Sequence, residues 1–314
     1  MDTQKVCQFL VDAQSRGDSI VLVTVGAVEG SSMRNPGTIM SVAGDGSFAG
    51  SLSGGCIESA VVAEALDVLK SGQPRVVRFG AGSRYLDIRL PCGGGLDLTF
   101  NPLAGPDFAL ACLGSIGTRT PFSIQTGPEK VAHIDGWRAP EFDVASCSSV
   151  FGHWPAPLLQ IVGHGASVEA LASLAHTFGC TSRILSPDEG IIDELRRRSM
   201  AASYLRRTSQ TELLESDPWT ATVFLFHDHD WEIDLMEAAL AQPHFYLGAM
   251  GGRKAHAFRS EALAARGVSA EAIATIRAPI GLFHSSRDPQ TLALSTLGEV
   301  IRAYEATDFE AALG

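Results

Sequence analysis

From residue 158 onward, short apolar runs alternate with segments of helical periodicity, and this alternation constrains the fold more than any other feature of the chain. LLQIVG (158–163) predicts a buried strand. The spacing that follows predicts a helix over 166–178, stopped by Gly179. TSRIL (181–185) predicts a second strand, with a helix near 188–198. TATVFLFH (220–227) predicts a third main strand and HFYLGAM (244–250) a fourth, with helices over 231–241 and 254–266. A last helix starts at Asp288-Pro289, with Asp as N-cap and Pro at the first helical position. Strands that alternate with helices build a parallel sheet covered on both faces, so this half reads as a Rossmann-like doubly wound sheet.

The N-terminal part follows another pattern. A helix over about 2–16, with Val6, Phe9, Leu10 and Ala13 at helical spacing, leads to a strand over 20–28. A polar loop, GSSMRNPG (30–37), precedes a hairpin: 38–42, the turn Gly44-Asp45-Gly46, then 47–52. SGGCIES then opens a helix to about Lys70, capped by Ser71-Gly72. Strands near 75–79 and 96–100 flank a second glycine-rich loop, PCGGG (91–95). Between 104 and 156 short apolar runs (108–113, 122–125, 131–134) predict a β-meander that ends in the linker HWPAP. The expected fold is α/β: an N-terminal α/β domain over 1–156 and a Rossmann-like domain over 157–314.

The formal net charge of −11 is unevenly spread. Residues 1–103 carry 8 basic against 10 acidic side chains, and 104–314 carry 16 against 25. The only basic cluster is Arg196-Arg197-Arg198, which excludes the concentrated footprint that nucleic-acid binding needs. No run of 18 apolar residues is present, so no membrane span is expected, and the first residues lack a signal-peptide core. Six cysteines are scattered without zinc or redox CxxC spacing. Reduced thiols and a cytoplasmic setting are the expectation.

Three loops of the N-terminal part carry candidate chemistry. In SGGCIE, Ser53, Gly54 and Gly55 precede a helix start, where free N–H groups and the helix dipole favour an anion. Cys56 lies in the first turn, where the dipole favours thiolate, a soft ligand for a thiophilic metal or for sulfur transfer. Against this, Glu58 can simply cap the first turn and Cys56 can be a small buried hydrophobe. In PCGGG, Cys92 precedes Gly93 and Gly94, which allow backbone N–H groups to approach an anion, or only a strained turn. In GSSMRNPG, Arg34 with Ser31 and Ser32 can bind phosphate or carboxylate, or line an exposed hairpin approach.

In the C-terminal half, GHGASV places Gly163 and Gly165 at the first two glycines of the dinucleotide fingerprint, with Val168 where a third Gly or Ala belongs. The second strand ends in Leu185-Ser186-Pro187-Asp188, without a clean acid for a ribose. His227-Asp228-His229-Asp230 is rich in potential metal ligands, or serves to cap the next helix. Gly251-Gly252-Arg253-Lys254 offers another helix start, with two positive charges. Pro279-Ile280-Gly281-Leu282 is expected to pack.

Together the ordered segments GSSMRNPGTIMSVAGDGSFAGSLSGGCIES, PCGGGLDL, IVGHGASVEALASLAHTFGC, FHDHDWEIDLMEAAL, YLGAMGGRKAHAFR and RAPIGLFHSSRDPQTLALSTLGEVI resemble the XdhC/CoxI family of xanthine dehydrogenase accessory proteins. The resemblance covers nearly all of the chain except about 104–156. It implies a carrier rather than an enzyme, binding the molybdenum cofactor as molybdopterin or molybdopterin cytosine dinucleotide. It implies handling of the terminal sulfur with a cysteine desulfurase, insertion into an apo-molybdoenzyme of the xanthine dehydrogenase family, and a homodimer. On that reading Cys56 and Cys92 flank the metal or its labile sulfur. Gly54, Gly55, Gly93 and Gly94 offer N–H groups to the phosphate, and Arg34 offsets its charge. Ser31, Ser32, Ser53 and Glu58 complete the cofactor-binding set, with Gly163 and Gly165 at the Rossmann turn. Departures fall on the Rossmann half: GHGASV stands for a turn like GAGHVA, Gly251-Gly252-Arg253 for Gly-Ser-Arg, and Phe283-His284-Ser285-Ser286 for Asp and Gly residues. An NAD(P)-dependent oxidoreductase is the rival reading, although no Tyr-x-x-x-Lys pair accompanies the turn. A scaffold for a desulfurase–enzyme complex is the third.

Overall fold

A computed structural model describes residues 2–30, 34–55, 57–83, 85, 93–228, 231–283 and 288–313. The chain forms two compact units, Met1–Pro155 and Ala156–Gly314.

The first unit is built on a five-stranded antiparallel sheet of order β3-β2-β1-β5-β4. Its strands are β1 (Ile20–Glu29), β2 (Ile39–Ala43), β3 (Phe48–Ala49), β4 (Arg75–Gly80) and β5 (Gly95–Leu103). Alternation along β1 sends Val21, Val23 and Val25 to one face and Ile20 and Leu22 to the other, and both faces are buried. The first set meets helix α2 (Glu58–Ser71) through Val61, Ala65 and Val68. The second meets α1 (Asp2–Ser15) and α3 (Asp107–Thr118) through Val6, Leu10, Phe108 and Cys112.

A second antiparallel sheet completes this unit: β6 (Phe122–Thr126), β7 (Val131–Asp135), β8 (Glu141–Asp143) and β9 (Ser148–His153). Its order is β7-β6-β9-β8, so two hairpins join through β6 and β9 rather than running as a consecutive meander. The run at 108–113 is also not a strand but part of α3, because Phe108, Cys112 and Ile116 recur at four-residue spacing. Glycine lets the two sheets meet closely. A Cβ on Gly26 in β1 would overlap the Phe142 ring of β8, and one on Gly37 would lie 2.9 Å from the Phe151 Cβ of β9.

The second unit is a parallel sheet of order β12-β11-β10-β13-β14, formed by β10 (Leu158–Gly163), β11 (Thr181–Ser186), β12 (Ala201–Tyr204), β13 (Thr220–Leu225) and β14 (Tyr246–Ala249). It is the doubly wound sheet expected, with one edge strand, β12, added beyond the reading of the sequence. Helices α4 (Ala166–Phe178) and α9 (Pro289–Ala306) bury Val168, Leu171, Ala293, Leu297 and Val300 in one core cluster. Helices α6 (Ile233–Leu240) and α7 (Arg253–Ala265) bury Leu235, Met236 and Leu263 in another. Asp188 caps α5 (Glu189–Arg197) and Asp288 caps α9, accepting from Ile191 N at 3.2 Å and Thr291 N at 2.8 Å. Two five-residue helices, α8 (Ala270–Ala274) and α10 (Phe309–Leu313), finish the unit. Of the Pro279–Leu282 segment, expected to pack, only Ile280 is buried, whereas Pro279 and Leu282 are exposed; Leu282 N donates to Ser295 O at 3.2 Å, and a Cβ on Gly281 would lie 2.5 Å from Ser295 Oγ.

Candidate functional site

The candidate site of the first unit is where its glycine-rich loops leave the sheet. Glu29 at the end of β1 pairs with Gly95 at the start of β5, and Gly80 at the end of β4 pairs with the same glycine. The loop opened by Gly30 and the loop closed by Gly94 therefore emerge side by side. A Cβ on Gly30 would stand 3.4 Å from Gly94 Cα. The connection between α2 and β4 spans only three residues, so β4 returns antiparallel along the helix. The start of α2 and the β4–β5 connection thus lie at the same end of the unit. Leu52 and Ile57, on either side of the SGGC turn, share one core cluster with Leu96 of β5.

Glu58 organises the turn into α2. Its Oε1 accepts from Ser51 Oγ (2.9 Å), Leu52 N (3.1 Å) and Ser53 N (3.0 Å). Its Oε2 accepts from Ser53 Oγ (2.7 Å), Gly55 N (2.9 Å) and Ile57 N (3.2 Å). Gly54 N donates to Ser51 Oγ at 3.1 Å. Burial alone would raise the carboxyl's pKa; the hydrogen bonds from Ser53 and Ser51 outweigh it and bring the group down to about 2. The N–H groups expected to face a phosphate at Gly54 and Gly55 thus already have acceptors, and Glu58 is a buried structural anion rather than an exposed ligand.

Gly55 and Gly93 are the sequence neighbours of Cys56 and Cys92. Both have positive φ (+111° and +70°), and among the described residues, chain neighbours aside, no heavy atom lies within 4 Å of where a Cβ would stand. That conformation favours glycine and leaves main chain open. Arg34 is half-buried, and Gly94 O accepts from Ala81 N at 2.9 Å. Ser31, Ser32, Cys56 and Cys92 lie outside the described residues, so the joint site expected for the two thiols does too. Among the described residues Cys7, Cys112 and Cys180 are buried and Cys147 is half-buried. A hydrogen bond with Cys7, reinforced by burial, pushes the Cys112 thiol up.

Arg78 was not singled out by the sequence, yet it clamps this end of the sheet. It pairs with Glu29, reaches Asp97 Oδ2 at 3.0 Å, and donates from Nε to Ala81 O at 2.7 Å. A Cβ on Gly95 would stand 2.7 Å from its Nη2, which explains that glycine. The available signal was the alternation in RVVRFG, which points Val77 and Phe79 inward and Arg78 away, directly across from Asp97.

In the second unit, the parallel register puts the ends of β10, β11, β13 and β14 on one edge, where doubly wound sheets take ligands. Strand order reverses between β10 and β13, and there the His164 ring packs 5.5 Å from Phe226 and 5.9 Å from His227, centroid to centroid. Gly163 is demanded by the neighbouring strand: a Cβ would lie 2.5 Å from Leu225 O. Gly165, with φ +77°, caps α4 without a side-chain hydrogen bond. Val168 fills the core beneath α4, and Asp188 is used as a helix cap. His229 and Asp230 lie outside the described residues, and among the described residues no group of three or more His, Cys, Asp or Glu could hold a metal ion. Gly252 caps α7 without a side-chain hydrogen bond, and Arg253 and Lys254 are exposed there. No helix among the described residues is long and apolar enough to cross a membrane.

The Gly163→Ala variant is expected to lose roughly 1–3 kcal/mol, because its methyl group meets main chain in a buried parallel pair rather than a movable side chain. Urea unfolding checks this. A midpoint equal to that of the wild type would show that β10 and β13 can separate at no cost.

Fold and loops together define a two-unit α/β protein whose C-terminal unit is a Rossmann domain of the XdhC type: residues 159–300 match the XdhC Rossmann domain and residues 13–80 match the XdhC and CoxI family. The chain is 34% identical over 316 residues to the molybdenum cofactor insertion chaperone PaoD of Escherichia coli (strain K12), covering 98% of this chain and 91% of PaoD. This chain belongs to the XdhC and CoxI family. It is also 24% identical over 269 residues to the uncharacterized protein YqeB of the same organism, spanning 84% of this chain but 40% of YqeB. A crystal structure from Bacillus halodurans, described as a xanthine dehydrogenase, shares the fold at 17% identity. Its TM-score is 0.77, over 98% of this chain and 99% of that one.

Proposed function

We propose that this chain is a molybdenum cofactor chaperone that shelters the cofactor, assists its sulfuration with a cysteine desulfurase, and inserts it into an apo-molybdoenzyme of the xanthine dehydrogenase family. The observation that carries the reading is the near-full-length likeness to PaoD. Residues 1–156 would handle the cargo, and residues 157–314 would supply the Rossmann unit. Cys56 and Cys92 would face the molybdenum or its labile sulfur, since soft thiolates suit a thiophilic centre. Arg34, with Ser31 and Ser32, would meet the negative charge of a molybdopterin or molybdopterin cytosine dinucleotide phosphate. Open main chain at Gly55 and Gly93 supports close approach of a ligand to both loops. The working form is a cytoplasmic homodimer that carries its cargo without turning it over.

Anaerobic purification from cells that make the cofactor, followed by oxidation, tests the reading directly. A fluorescent pterin should co-purify, and its release should activate an apo-molybdoenzyme. Protein free of pterin that also fails to activate the enzyme would sink it. Saturable nicotinamide binding by such protein would favour the oxidoreductase instead.

A further inference from the structure

We propose that Glu58 is a positioning residue: it presets the turn into α2 before any cargo arrives, and it withdraws the N–H groups of that turn from the cargo's phosphate. The functional meaning rests on the chaperone reading. The geometry does not. Six donors from Ser51, Leu52, Ser53, Gly55 and Ile57 converge on one carboxylate that is only 7% exposed. A carboxylate offers about four lone-pair sites, so these contacts saturate it. The donors come from residues before the helix, yet the acceptor belongs to its first residue, so the side chain folds back and ties the turn to α2.

Two consequences separate positioning from mere filling of space. First, glutamine has nearly the same shape but replaces one acceptor oxygen with an NH2 group, which would confront two or three donors. Gln at this position should therefore be nearly as damaging as Ala. Second, a phosphate at the same place would meet a fixed negative charge with its donors already engaged. The cargo phosphate then takes its donors from outside this turn.

Amide hydrogen exchange of the full-length chain tests this without any cargo. In Glu58→Ala and Glu58→Gln, peptides covering 51–57 should exchange at least tenfold faster than in wild type, while the later turns of α2 stay protected. Sodium formate at tens of millimolar should restore protection in Glu58→Ala, because a free carboxylate can occupy the vacated donors, but not in Glu58→Gln. Inorganic phosphate should slow exchange in Glu58→Ala and leave the wild type unchanged. Wild-type exchange in Glu58→Gln, or no response of Glu58→Ala to formate, would overturn positioning. Protection of the wild-type turn by phosphate would overturn the withdrawal of its N–H groups. Should Glu58→Ala fail to fold, Ser53→Ala removes one hydroxyl donor to Oε2 and should speed exchange locally in a folded chain; unchanged exchange there counts against the proposal. Since no pterin enters the measurement, its outcome and that of the pterin assay are independent.

Discussion

Replacing Arg259 with methionine is expected to destabilise residues 156–314 by about 3–5 kcal/mol, the cost of stranding a buried charge. Arg259 and Glu232 are both fully buried. The guanidinium places Nη2 at 2.8 Å and Nε at 2.9 Å from Glu232 Oε1, and Nη2 also donates to Met250 O at 2.8 Å. Removing the cation takes the Arg259 partner from a fully buried carboxylate that bulk water does not reach. For a unit of this size, such a loss lowers the unfolding temperature by on the order of 10 °C. The double variant Arg259→Met/Glu232→Met should recover most of it, because desolvating two charges costs nearly what their attraction returns. Calorimetry of the wild type, both single variants and the double variant measures the coupling. A loss in the double variant equal to the sum of the two single losses would mean that the side chains matter independently, for packing, and not as an ion pair. The pair also ties the segment after β13 to the turn after β14, so its loss should loosen the rim where this sheet presents its loops.

Much of this architecture is legible in the sequence because its causes are local. Strand and helix periods alternate cleanly after residue 158, and Asp188, Gly179 and Asp288-Pro289 mark helix ends by chemistry that acts within a few residues. The run at 108–113 misleads because six apolar residues suit a strand as well as a buried helix; only the extension to Ile116 decides for α3. The pairing of β6 with β9 is fixed by contacts between residues far apart in the chain, which no window along it contains. The same limit applies to the candidate site. Glycines and cysteines mark loops, but Arg78 between Glu29 and Asp97, and Arg259 on Glu232, become visible only when distant strands and helices meet. Glu58 stands between the two cases. Its place three residues after Gly55 suggests a cap, whereas the saturation of its carboxylate, which withdraws the turn's N–H groups from a ligand, is a property of the folded turn.

The Cys56→Ser/Cys92→Ser double variant is expected to lose pterin retention by roughly tenfold or more, since even outer-shell partners of a metal contribute 10–100-fold in affinity and a thiolate ligand should contribute no less. Serine keeps the size and loses the soft donor, so the change isolates chemistry from packing. If both thiols serve one centre, each single variant should lose nearly as much as the pair, because ligands of one site do not act additively. Thermal unfolding should stay within about 0.5 kcal/mol of wild type if the change removes chemistry and not fold. Cys147→Ser is the internal control: it removes a half-buried thiol from the β8–β9 turn and should leave retention intact. Pterin fluorescence after oxidation and reactivation of an apo-molybdoenzyme are the two readouts, and both must fall together. A double variant that carries and delivers cofactor as the wild type does would remove the thiols from the mechanism. The open main chain at Gly55 and Gly93 would then need another ligand to explain it.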